Sequence, residues 1–139
     1  MTLLFGAFTP PASPLHGLFF MITLILGIIL QYFFAYLVGL LAFWLKTTSF
    51  VTWLMGAFIK LFGGSVIPLW FYPDLLRRIA LCLPFRYFSF EPVSIYLGQT
   101  DPQAFLPTVC MQVFWIFVIY LLGRLLWSRA EKLVIVQGG

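Results

Sequence analysis

The chain has 139 residues, 63% of them hydrophobic and 9% charged, with a formal net charge of +4. A soluble domain carries about 25% charged residues, so composition excludes an ordinary water-soluble fold and assigns the chain to a bilayer. The eight cations are scattered beside apolar runs, which places them at membrane interfaces rather than on a nucleic-acid-binding patch.

Residues 1–16 carry Pro10, Pro11 and Pro14 and no basic n-region, so they read as an extended loop rather than a signal peptide. Residues 17–45 form the first predicted span. Thr23 and Gln31 are its clear polar interruptions, and no charge appears before Lys46. A bilayer core needs roughly 20 apolar residues, so this run is long enough to tilt. Gln31, at mid-span, suits either a helix–helix hydrogen bond or a substrate contact. Gly27 and Gly39 allow a close neighbour but are too far apart for one small-xxx-small motif.

After the polar turn Lys46-Thr47-Thr48-Ser49, where Ser49 is a candidate cap, residues 50–71 form the second predicted span. Lys60 lies near its middle. A cation at membrane depth is costly and faces protein or a wet cavity, so Lys60 has either a structural partner or a pathway-lining role. The short turn makes these two spans antiparallel neighbours, and Gln31 and Lys60 are expected on one interior surface. Gly63-Gly64, followed by Pro68, predicts that the helix loosens before its end.

Residues 66–99, with a re-entrant segment expected at about 73–98, are neither a plain span nor a polar loop. Pro68, Pro73, Pro84 and Pro92 cut this region into pieces too short to cross a bilayer. The pieces nonetheless stay apolar and aromatic, which predicts a re-entrant or interfacial segment. Leu75, Leu76, Ile79 and Leu83 share one broad face beside Arg77 and Arg78, as in a short amphipathic helix at the headgroups. Phe85, Tyr87, Phe88 and Phe90 suit an aromatic membrane interface. Arg86 and Glu91 either pair or are solvated separately. Asp101-Pro102 can open a short helical turn. Residues 107–127 form the third predicted span, with Gln112 its main polar interruption and Trp115 on the same face. Arg124, Arg129 and Lys132 crowd its end, and a short tail follows.

The expected fold is therefore an all-α integral membrane domain over residues 1–139, with three transmembrane helices and a broken re-entrant segment. Catalytic signals are weak. The sole histidine, His16, lies in the Pro-rich loop, and the four acids form no metal-type cluster with it. No phosphate-binding loop ending in Gly-Lys-Ser/Thr occurs, and Cys82 and Cys110 have no metal or redox spacing. The chain reads as no enzyme, with no cofactor and no metal of its own.

Several segments together resemble a known family. They are Phe43-Trp44-Leu45, Phe62-Gly63-Gly64 to Ile67-Pro68-Leu69, Phe71-Tyr72-Pro73, Leu83-Pro84-Phe85, and Pro92 with Ile95-Tyr96-Leu97-Gly98. Gln112 with Trp115, Gly123-Arg124-Leu125-Leu126-Trp127 and Val136-Gln137-Gly138-Gly139 continue the pattern. In order and spacing they resemble the ABC-2-type export permeases of bacteria, from about Leu15 onward. That family typically has six spans, and the match falls on its last three, so the resemblance implies the C-terminal half of a permease. It also implies an ATP-driven exporter of the bacterial inner membrane, a separate ATPase subunit, a second permease chain and a cytoplasmic C-terminus. The cations weakly agree on that orientation: Arg77, Arg78 and Arg86 on one side, Lys46, Arg124, Arg129 and Lys132 on the other. The candidate pathway or interface residues are Gln31, Lys60 and Gln112. Those of the re-entrant segment are Pro68, Pro73, Arg77, Arg78, Pro84, Arg86, Glu91 and Pro92. The alternative reading is a non-transporting scaffold or accessory subunit, or a non-functional permease fragment.

Overall fold

The computed structural model describes residues 10–41, 48–64 and 71–137, with side chains to residue 131. Helix α1 spans Pro14–Leu41. Pro14 was expected in the loop, but its fixed φ suits a first helical turn. Ser13 caps that turn, its hydroxyl accepting from the His16 backbone N–H at 3.3 Å. Helix α5 spans Phe105–Gln137 and passes well beyond Trp127, where the third span was expected to end. The charges at this end do not stop it, because Arg, Glu and Lys lose little side-chain freedom in a helix.

These two helices pack side by side. Phe19 stacks on Phe105 with ring centroids 3.8 Å apart, and Phe33 meets Tyr120 edge-on at 6.0 Å. Tyr36 packs on Gly123, within 3.4 Å of the position a Cβ would take. Residue numbers rise together along the contact, so α1 and α5 run parallel. The chain between them must therefore return to the side from which α1 started.

Helix α2, Thr48–Phe62, makes part of that return. At 15 residues it is about 22 Å long, short of a bilayer core of about 30 Å. The expected span over 50–71 is thus cut at Phe62. Gly64 adopts φ 69°, a left-handed conformation natural to glycine, while the Gly63 N–H closes the last turn on the Ile59 carbonyl at 2.8 Å. Ser49 lies inside the helix rather than capping it, and Lys60 sits in the last turn rather than mid-span. Among the described residues, α1 and α5 are the helices long and apolar enough to cross a membrane unaided. Pro68 lies outside the described residues.

The proline-cut segment is broken as expected. Pro73 precedes α3, Asp74–Cys82; Pro84 opens a 3₁₀ turn, Pro84–Tyr87; Pro92 lies in the first turn of α4, Phe90–Tyr96. A tight cap ends α4: the Gly98 N–H donates to the Ile95 carbonyl at 3.0 Å and the Gln99 N–H to the Ser94 carbonyl at 2.9 Å, with Gly98 at φ 68°. Asp101 opens the short Pro102–Ala104 turn by accepting from the Gln103 N–H at 2.9 Å. The broad apolar face expected on α3 is split. Leu76, Ala80 and Leu83 face the protein, and Leu75 and Ile79 face outward with Arg77 and Arg78. The aromatic run departs furthest from expectation. Phe85, Tyr87 and Phe88 are 7%, 6% and 5% exposed, forming a core with Leu30, Phe62, Tyr72 and Ile119 rather than an interfacial belt. The tight turn projects them in several directions, and α1, α2 and α5 supply a wall for each.

Candidate functional site: a re-entrant turn wedged between two long helices

Leu30 lies near the middle of α1 and Ile119 near the middle of α5, so the 84–88 turn reaches the mid-height of both helices. Its backbone touches α1 directly. A Cβ at Gly27 would stand 2.7 Å from the Phe88 carbonyl oxygen and 2.8 Å from that of Tyr87. Real Cβ atoms do not approach backbone oxygen so closely, so glycine is what admits the turn. Phe34, two turns further along α1, meets Phe85 edge-on at 5.2 Å and Phe88 at 5.8 Å.

Gln112 locks the third side. It is fully buried, and its Nε2 donates to the Thr23 carbonyl of α1 at 2.8 Å and to the Tyr87 carbonyl at 3.0 Å. One amide thus ties α5 both to α1 and to the turn. Thr23 is equally buried, its hydroxyl donating to the Phe19 carbonyl at 2.8 Å. Among the described residues, Arg86 Nε, Gln112 Oε1 and Trp115 Nε1 are buried with no hydrogen-bond partner, the last two one helical turn apart on α5, so the wedge keeps a polar interior.

Arg86 and Glu91 form a salt bridge at the edge of the wedge, which settles the choice between a pair and two solvated charges. Glu91 is 5% exposed, and the Arg86 guanidinium carbon lies 5.1 Å from the Tyr87 ring centre. A carboxylate this enclosed needs its cation, because a charge stripped of water and left unpaired is costly. The pair lines a cavity of about 450 Å³ together with Gln99, Asp101 and Thr108. Pro84 and Pro92 are buried in the wedge, and Pro73, Arg77 and Arg78 lie on its exposed side.

Gln31 stands apart from the wedge. It lines an apolar cavity of about 310 Å³ between α1 and α2, with Val38, Met55 and Ile59. Lys60 is exposed and does not line that cavity. Lys60 follows Ile59 and points about 100° further round the helix, so Ile59 rather than Lys60 shares this cavity with Gln31. The close approach expected at Gly27 is made by the turn, whereas the sequence reading missed Thr23 as a member of the site. Thr23 and Gly27, four residues apart, themselves form a small-xxx-small pattern.

A family model described as ABC-2 family transporter protein matches residues 11–134, which includes all of the wedge. No curated protein and no solved structure matches the chain.

Proposed function

The chain belongs to the ABC-2 transporter family as a permease-type membrane component, and from that premise we propose that it forms part of an export pathway driven by a separate ATPase subunit. The observation that carries this reading is the wedge. Irregular backbone at membrane depth is tolerated only where protein or a watery cavity covers it. Here the 84–88 turn sits at the mid-height of two parallel helices, with a part-buried ion pair and a buried amide beside it.

Parallel packing of α1 and α5 supports a return crossing between them, to which α2 contributes. In this reading the wedge closes the pathway on one side, and binding of ATP to the partner subunits rocks the long helices to open it. Gln31 in the α1/α2 cavity, Lys60 at the end of α2 and Gln112 inside the wedge are proposed as pathway or interface contacts. A second permease chain completes the path, and the C-terminal end of α5 lies in the cytoplasm of a bacterial inner membrane.

Reconstitution in proteoliposomes with a cognate ATPase subunit tests the proposal. The expected result is co-purification of the two chains and ATP turnover that rises in the permease's presence. Stable association with unchanged ATP turnover and no transport would replace the proposal with a scaffold role.

A further inference from the structure

A second concavity lies between α1 and α5, away from the wedge and toward the C-terminal ends of both helices. It measures about 590 Å³, and Tyr32, Tyr36, Tyr120, Trp127, Arg124 and Glu131 line it. Its depth follows from the sequence of α5. The nineteen residues from Phe105 to Gly123 carry no charge, which is about 28 Å of helix at 1.5 Å per residue and close to the roughly 30 Å of a hydrocarbon core. Arg124 is the first charge beyond that stretch, so the groove stands at headgroup level. Its tyrosines and tryptophan are the residues that favour this level.

The lining carries both signs of charge. Arg124 and Glu131 lie seven residues apart on one face of α5, about 10 Å along the axis. No salt bridge joins them among the described residues, so these two share the groove without bridging each other. Arg124 Nη1 instead donates to the Tyr120 hydroxyl at 3.5 Å, a long contact. A carboxylate would oppose a ligand that was purely anionic. A ligand with a phosphate and an ammonium satisfies both ends: guanidinium and tyrosine hydroxyls donate to the phosphate, while Glu131 and the aromatic faces receive the ammonium.

The geometry points to a binding site for a zwitterionic phospholipid headgroup, with Arg124 on the phosphate and Glu131 on the amine. The occupant is a bilayer lipid, because the groove is level with the headgroups and its aromatic walls continue into the apolar α1/α5 surface.

The test reconstitutes the full chain in vesicles of equal phosphatidylethanolamine and phosphatidylglycerol, followed by mild extraction and quantification of co-purifying lipid. The wild-type protein is expected to retain phosphatidylethanolamine several-fold above its bulk share. Glu131→Gln removes that preference and keeps total lipid; Arg124→Gln lowers retention of both lipids. Arg129→Gln, on the same helix but outside the groove, changes neither. Thermal unfolding of each variant separates a lost site from a lost fold, and the Glu131→Gln result stands by itself if Arg124→Gln does not fold. Retention at the bulk ratio, a preference for phosphatidylglycerol, or an unchanged preference in Glu131→Gln would overturn the assignment.

Discussion

At the scale of single residues, the wedge rests on contacts that tolerate little change. Gly27→Ala places a methyl group against two backbone carbonyls at 2.7 and 2.8 Å, so the turn must shift. Overpacking of this kind costs about 1–3 kcal/mol. Gly39, with nothing within 4 Å of its Cβ position, is the control. Thermal unfolding in detergent should show a lowered midpoint for Gly27→Ala and none for Gly39→Ala; equal midpoints would mean that the turn does not seat on α1. Arg86→Met strands the enclosed Glu91 carboxylate; because the guanidinium is partly exposed, the loss falls below the ~3–5 kcal/mol of a fully buried pair broken from one side. The double change Arg86→Met with Glu91→Leu should recover most of it. If single and double variants unfold alike, the two charges are not coupled.

At the scale of elements, short pieces gain their position from neighbours rather than from length. Helix α4 has seven residues, too few to be stable in isolation, and its cap and its contacts hold it in place. The Ala12 N–H donates to the Tyr96 carbonyl at 3.3 Å, and Phe20 meets Tyr96 edge-on at 5.0 Å. Gly98→Ala would force a side chain into φ 68° and bring its Cβ to 2.6 Å from that of Ala12. A strained backbone position costs on the order of 1–3 kcal/mol, so proteolysis of residues 96–104 should quicken in this variant while α1 and α5 stay protected. Gln112→Leu removes at once the hydrogen bonds that tie α5 to α1 and to the turn. Interhelical hydrogen bonds in membranes average about 0.6 kcal/mol, so a modest fall in midpoint is expected. A clearer effect is expected in amide exchange at residues 84–88.

At the scale of the whole molecule, the parallel pairing of α1 and α5 decides the topology. The wedge and the N-terminal ends of both long helices belong to one side, and the charged end of α5 to the other. With that end in the cytoplasm, the exposed outer face of α3 is reached from outside. A cysteine at Arg78, in a background lacking the free and exposed Cys82 and Cys110, should react with a membrane-impermeant maleimide on intact cells. A cysteine at Arg129 should react only after the membrane is opened. The reverse pattern inverts the molecule.

Much of this was legible in composition and punctuation. A charge-poor, aromatic-rich chain has no solvent but lipid, and long apolar runs in lipid become helices because each backbone group must find its partner within the chain. That logic locates α1 and α5, and the prolines mark where α3, the 84–87 turn and α4 begin, since proline acts on its own backbone and its nearest neighbours. The double glycine likewise announces that α2 weakens, though not that it ends at Phe62. What lies inside could not be read locally. Phe85, Tyr87 and Phe88 have the composition of an interfacial belt, and Gln112 that of a pathway residue. Their burial depends on residues 25 to 89 positions away: Gly27, which admits the turn, and Thr23 and Tyr87, whose carbonyls accept from one amide. Such contacts exist only once the helices are packed, because burial is a property of the neighbours a residue acquires and not of the residue itself.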